Sequence, residues 1–147
     1  MSKNRVIADM FEHIADVLEF KGDLPFKVNA YRKAARVVGD LQEDIEELWK
    51  EGKLDTIPGI GKGMREKIEE FLSTGKMARY EEVMRDVPPG LLDLLKIQNL
   101  GPKTLALAHR ELGVNNLDDL KRVIEDGSLA RLPGMGPKKV DNIRKGL

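Results

Sequence analysis

Apolar residues recur at helical spacing along almost the whole chain, and no segment makes a credible strand. Ile7, Phe11, Ile14 and Leu18 predict a first helix that ends near Gly22. Pro25 suits the first turn of a second helix, with the stripe Val28, Tyr31, Ala35 and Val38 and with Gly39 as its stop. Leu41, Ile45, Leu48 and Trp49 mark a third, closed by Gly52. A fourth carries Met64, Ile68, Phe71 and Leu72 and stops at Gly75. A short helix around Tyr80 to Met84 then runs into Val87-Pro88-Pro89-Gly90. Neither proline continues a helix comfortably, so this tetrapeptide is the expected boundary between residues 1–87 and residues 88–147. Beyond it come short helices from Leu91 to Lys96, Pro102 to Leu112, Leu117 to Glu125 and Pro137 to Lys145. The expected fold class is all-α.

Composition narrows the chemistry. A chain of 147 residues with 41% hydrophobic and 34% charged positions is a folded, surface-charged protein of one ordinary domain or two small ones. The lack of cysteine excludes disulfides, thiolate zinc sites and cysteine nucleophiles. Two histidines, His13 and His109, argue against a histidine metal site; His13 sits in an amphipathic helix and His109 has no acidic partner at ligand spacing. No apolar run approaches the roughly 18 residues of a membrane span, and an intracellular, cytoplasmic protein is expected. The zero net charge is unevenly spread. Residues 1–87 hold 15 basic and 18 acidic residues, and residues 88–147 hold 10 and 7. An acidic stretch (Asp40, Glu43, Asp44, Glu46, Glu47, Glu51) contrasts with basic groups at Lys27, Arg32, Lys33 and Arg36 and at Lys62, Arg65 and Lys67. Such sorting predicts one positive side suited to an anion and one negative side facing away.

The most informative feature is an internal repeat. Ile57-Pro58-Gly59-Ile60-Gly61-Lys62 returns 75 positions later as Leu132-Pro133-Gly134-Met135-Gly136-Pro137, and at the same offset Gly52, Leu54 and Ile68 match Gly127, Leu129 and Ile143. A weaker copy, Ile97-Gln98-Asn99-Leu100-Gly101-Pro102, lies between them. Its first glycine is replaced by Asn99, the non-glycine residue that best tolerates positive φ. The first Gly or Asn lets the chain turn sharply, and the apolar flanks tuck the turn onto the adjoining helices. The second Gly (Gly61, Gly101, Gly136) removes side-chain bulk where backbone N–H groups open the next helix. Those free N–H groups and the positive end of the helix dipole form a receptor for a phosphate oxygen. Lys62, Lys103 and Lys138 add a cation at each rim. Nothing in such a turn reads base edges. The pattern resembles the helix-hairpin-helix motif, a DNA-binding element. The residues that the motif places at DNA are Gly59, Ile60, Gly61 and Lys62; Asn99, Leu100, Gly101 and Lys103; and Gly134, Met135, Gly136 and Lys138.

A wider resemblance follows. Phe26-Lys-Val-Asn-Ala-Tyr-Arg-Lys-Ala-Ala-Arg, Ile57-Pro-Gly-Ile-Gly-Lys-Gly and the segment from Glu66 to Lys76 resemble the amino-terminal lyase domain of family X DNA polymerases. Residues 88–147 resemble the DNA-binding subdomain that follows it, with the third hairpin of bacterial and archaeal members. The resemblance implies tandem helix-hairpin-helix modules in a fold like the amino-terminal domain of DNA polymerase beta. It also implies sequence-independent DNA binding in repair at gaps, nicks or 5′-phosphate ends. The chain has no Asp-x-Asp pair of the kind that holds the polymerase metals, so by itself it is expected not to polymerise nucleotides. The resemblance further implies a 5′-deoxyribose-phosphate lyase role, which falls on Lys67 as Schiff-base nucleophile with Tyr31 beside the sugar. Lys27, Arg32 and Lys62 would bind the 5′-phosphate, although a lysine that some members use there is Gly63 in this chain. In the other two copies the position of Lys67 is Leu107 and Asn142, so the hairpin itself does not require lysine there. Lys67 flanks the apolar stripe of its helix, and partial burial beside other cations would favour the free amine that attacks a carbonyl. No cofactor is required. A monovalent or divalent cation on the backbone carbonyls of Asp55, Ile57 and Ile60, and of Leu95, Ile97 and Leu100, is the family's precedent. The expected partner is DNA, not membrane, with a catalytic domain or protein partner as a further possibility. A protein-docking helical module is the competing class.

Overall fold

The computed structural model describes residues 2–147. Those residues form nine α-helices and no strand: α1 (Lys3–Phe20), α2 (Pro25–Asp40), α3 (Ile45–Lys50), α4 (Lys62–Thr74), α5 (Ala78–Arg85), α6 (Pro89–Leu95), α7 (Pro102–Leu112), α8 (Leu117–Glu125) and α9 (Pro137–Lys145). α1 is the spine. Its stripe of Ile7, Phe11, Ile14 and Leu18 is buried along its length, and the helix packs on α2, α3, α5, α6 and α7. The facing stripe of α2, Val28, Tyr31, Ala35 and Val38, is buried as well. Phe11 and Tyr31 meet at the centre with ring centroids 5.9 Å apart. Truncating Phe11 to alanine would open a cavity costing about 3–5 kcal/mol.

α5 and α6 begin two residues before the expected Tyr80 and Leu91, and two further helix ends differ for visible reasons. Gly39 does not stop α2, which runs on to Asp40; the glycine lies over α1, where an added Cβ would come 3.6 Å from that of Ala8. α3 starts at Ile45, leaving Leu41 outside it. Two polar side chains set this start. Asp44 accepts a hydrogen bond from the Glu46 N–H at 2.9 Å, a cap of about 1 kcal/mol. Asn4, a buried polar residue on α1, donates to the Glu43 carbonyl and accepts from the Ile45 N–H, both at 2.8 Å. Hydrophobic periodicity carries no trace of that tie.

Pro88-Pro89-Gly90 is a packed corner, with Pro89 opening α6 and with Val87 and Leu91 buried on either side. An added Cβ at Gly90 would lie 2.6 Å from the Asn115 carbonyl oxygen, so the corner is wedged against the loop before α8. The two halves share α1. Phe20, the last residue of α1, packs its ring against that of His109 on α7, with centroids 5.7 Å apart. The repeat boundary therefore lies inside one continuous core. His109 is structural: its Nδ1–H donates to the Val114 carbonyl at 2.9 Å, since a carbonyl can only accept.

Candidate nucleic-acid interface

The three repeats fold as three hairpins, each entering a helix long enough to carry a dipole. Gly59, Asn99 and Gly134 take φ of 85°, 73° and 79°. Asn99 is the one non-glycine residue at positive φ among the described residues, in the role expected for it. The repeat also runs deeper than the motif. Short 3-10 turns, Leu54–Thr56 and Leu129–Arg131, lead into the first and third hairpins at the 75-residue offset. Ile57 and Ile60 are buried and anchor the first hairpin, and Leu100 does the same for the second. Leu132 and Met135 of the third are only half-buried.

What distinguishes the hairpin helices is how they begin. α1, α3 and α8 are closed by side chains: Ser2, Asp44 and Asn116 accept from the N–H groups of Asn4, Glu46 and Asp119. α3 and α8 also carry acidic residues in the first turn. α5 is closed from outside by the Glu70 carboxylate, which accepts from the Ala78 N–H. α4, α7 and α9 have glycine as the N-cap, no side-chain cap and no acidic residue in the first turn; α2 and α6 share the last two features, but their N-caps are Leu24 and Pro88. The N–H groups of Lys62 and Gly63, of Lys103 and Thr104, and of Lys138 and Lys139 receive no backbone or side-chain acceptor. Lys62, Lys103 and Lys138 are exposed beside them. An added Cβ on Gly61, Gly101 or Gly136 would meet nothing within 4 Å. The glycines are thus not needed for packing inside the chain, and they keep open the ground that an outside anion would occupy.

The lysine site lies one turn further along α4. Lys67 is half-buried, its Nζ 5.9 Å from the centroid of the Tyr31 ring and donating to the Gly63 carbonyl at 3.4 Å. Lys27 stands one turn before Tyr31 on the same face of α2 and pairs loosely with Asp23 at 3.8 Å. Arg79 is a neighbour that the sequence did not point to. Its burial works to lower its pKa, but the Tyr31 hydroxyl and Glu82, 2.7 Å away, outweigh that and hold the guanidinium above its ordinary value. Arg32, expected among the phosphate ligands, is instead turned onto α1. Its guanidinium contacts Glu12, Asp16 at 3.1 Å and Glu19 at 2.9 Å. Burial, helped by the neighbouring Glu12, holds the pKa of Asp16 above its ordinary value despite this partner. An arginine held by three carboxylates joins α2 to α1 and has little left to offer a phosphate. Lys62 sits at the start of α4, and no contact joins it to Tyr31.

Residues 2–77 match the helix-hairpin-helix domain family, and residues 91–147 match the SAM-like helix-hairpin-helix tandem family. The chain belongs to the helix-hairpin-helix family. Among curated relatives it is 38% identical over 147 residues to the DNA polymerase/3'-5' exonuclease PolX of Bacillus subtilis, matching all of this chain and 25% of the relative. It is 31% identical over 142 residues to DNA polymerase lambda of Arabidopsis thaliana, matching 96% of this chain and 25% of that one. With DNA nucleotidylexotransferase of Ambystoma mexicanum it shares 30% over 121 residues, 82% of this chain and 23% of the relative. The chain thus spans about a quarter of the length of the relatives it matches. The expected likeness to family X DNA polymerases is a likeness to their amino-terminal part.

Within this helix-hairpin-helix frame the remaining expectations fall into place unevenly. The carbonyls of Asp55, Ile57 and Ile60 in the first hairpin accept no backbone hydrogen bond. In the second, the Ile97 carbonyl already accepts from the Leu100 N–H at 3.3 Å, while those of Leu95 and Leu100 are unengaged. Among the described residues no three His, Asp or Glu side chains gather to hold a metal, and no helix is long and apolar enough to cross a membrane. Trp49 and Tyr80 pack against the core, and burial raises the Tyr80 pKa. A cleft of about 450 Å³ between α1, α5 and α6 is lined by Val17, Tyr80, Met84 and Leu92 and reaches Leu95 and Lys96, just before the second hairpin.

Proposed function

We propose that this chain grips DNA by its phosphates, without reading base sequence, as a DNA-holding part in repair of gapped, nicked or 5′-phosphate ends. One observation carries the reading: of the nine helices described, only the three that follow the hairpins combine a glycine N-cap with no side-chain cap, no acid in the first turn and a lysine beside the free N–H groups. A helix start left without an internal acceptor is complementary to a phosphate oxygen. The family's helix-hairpin-helix character and the DNA polymerases among its relatives support the same partner. A cation on the carbonyls of Asp55, Ile57 and Ile60 would add positive charge between the hairpin and a phosphate. The test is a salt titration on gapped and nicked duplexes of two unrelated sequences. Log affinity should fall linearly with log salt at about 0.9 per phosphate engaged, for a handful of phosphates, and equally for both sequences. Equal affinity at all salt concentrations, or a strong sequence preference, would point to protein docking or base readout instead.

A second reading is 5′-deoxyribose-phosphate lyase chemistry at Lys67, favoured by the placement of its amine against Tyr31 with Lys27 on the same face. The amine would add to the C1′ aldehyde and lose water to form an imine. Removal of a C2′ proton would then break the C3′–O bond and release the DNA strand. Holding the aldehyde at the amine makes the first step effectively intramolecular. Arg79 takes the place beside Tyr31 that Arg32 does not fill, and a cation there would meet the 5′-phosphate. Borohydride should trap the protein on an incised abasic site, and Lys67→Ala should lose that adduct while keeping DNA affinity within a few fold. Trapping that persists undiminished in Lys67→Ala, or fails in the unaltered chain, leaves Lys67 a phosphate contact only.

A further inference from the structure

The second and third hairpins meet at a joint made by four residues. Asn99, at the apex of the second hairpin, donates from its Nδ2 to the Asn142 carbonyl on α9 at 3.1 Å, across 43 positions of sequence. At the C-terminal cap of the same helix, Gly146 lies so close to Gln98 that an added Cβ would fall inside contact distance of the Gln98 carbonyl oxygen. The apex of one hairpin therefore rests on the C-terminal end of α9, against Asn142 and the capping Gly146. That is the helix whose other end opens at the third hairpin, beside Lys138. Asn99 also explains a departure within the repeat. The first and third hairpins use glycine at this position, which gives the required φ most cheaply. Asparagine tolerates the same φ and adds a donor that glycine lacks.

We propose that Asn99 is a positioning residue that locks the second and third hairpins into one phosphate-binding unit, through the joint it forms with Asn142 and Gly146. The inference rests on the DNA-gripping reading above. Two receptors held at a fixed separation engage two phosphates together, so the second contact forms at high effective concentration. Asn99 is exposed, and its bond to α9 is a surface bond; its value lies in geometry rather than in holding the fold. No contact of this kind is made by Gly59 or Gly134.

The experiment compares the unaltered chain with Asn99→Gly, Asn99→Ala and Gly146→Ala on one nicked duplex over a range of salt, with thermal melts of each. Asn99→Gly keeps the backbone conformation and removes only the carboxamide, so melting should be unchanged. Its affinity should fall about fivefold, the value of one hydrogen bond. Its salt slope should become shallower by about one phosphate. Gly146→Ala forces the same joint apart from the α9 side and should give the same shallower slope. Asn99→Ala adds backbone strain and should melt earlier while matching the Asn99→Gly slope. An Asn99→Gly variant with unaltered affinity and slope overturns the proposal, and so does a loss confined to Asn99→Ala, which is backbone strain alone. If the unaltered chain shows no salt-dependent binding, the DNA reading itself fails, and that is seen before any variant is made.

Discussion

The first and third hairpins share Pro-Gly-apolar-Gly, yet their second glycines do different jobs. Gly61 has φ −80° and ψ 174°, extended backbone open to any residue. Gly136 has φ 86° and ψ 164°, a conformation in which a Cβ is strained. The next residue differs too: Lys62 after Gly61, Pro137 after Gly136. The third hairpin is also more closed upon itself. The Gly136 N–H donates to the Ala130 carbonyl at 3.3 Å and the Met135 N–H to that of Leu132 at 3.1 Å, whereas the Gly61 N–H has no acceptor. One motif thus contains a glycine needed for its backbone and another that needs only the space in front of it. Conformation and contact, usually mixed in a glycine, are separated here by a repeat.

The largest expected effect follows from that separation. Gly136→Ala should lower stability by about 1–3 kcal/mol through backbone strain, while Gly61→Ala should stay within about 0.5 kcal/mol. Chemical denaturation of the two variants measures both, and equal losses would erase the distinction. Next comes binding: Gly61→Leu places bulk in open space outside the chain, so melting should hold while DNA affinity drops about tenfold, the low end of a lost charge-assisted hydrogen bond. Smaller still, Lys62→Ala and Lys138→Ala should each weaken binding a few fold on every sequence and reduce the salt slope by about 0.9. If only Lys62→Ala does so, the first hairpin carries the grip and the third mainly supports it.

The smallest effect concerns acid. Asp126 precedes the third hairpin, and hydrogen bonds from the Ser128 hydroxyl and N–H hold its pKa below the ordinary 3.8. A carboxylate whose folded pKa is depressed contributes stability above its unfolded pKa and loses it as pH falls through the folded value. The protection of the Ser128 amide from exchange, taken relative to the intrinsic rate at each pH, should therefore fall below about pH 4. Asp126→Asn should remove the acid dependence.

Helix periodicity and glycine placement revealed nearly all of this architecture, because each helix buries one apolar stripe and the repeats mark their turns with glycine. The stop at Gly39 failed for the same reason: a glycine at a helix crossing looks like a glycine at a helix end. The start of α3 was hidden because Asn4 acts across 39 residues through polar atoms. The hairpin residues were legible as a set, since backbone conformation and cation placement leave marks in residue type. Arg32 was misplaced because sequence gives its charge but not its direction, and the three carboxylates that claim it lie on α1. Arg79 was missed because its neighbour Tyr31 is 48 positions away and no periodicity links them. Asn99 was read for its backbone alone, while its side chain reaches to α9.

The central claim is that open helix starts, not charge in general, bind the phosphates. The most direct measurement is an amide chemical-shift titration of the chain with a nicked duplex, repeated with inorganic phosphate. The N–H signals of Lys62 and Gly63, Lys103 and Thr104, and Lys138 and Lys139 should move together with DNA. Those of Glu46 and Asp119, already bonded to Asp44 and Asn116, should stay in place. Shifts spread over all lysine-bearing surfaces, with the hairpin amides no more affected than the capped ones, would contradict the account.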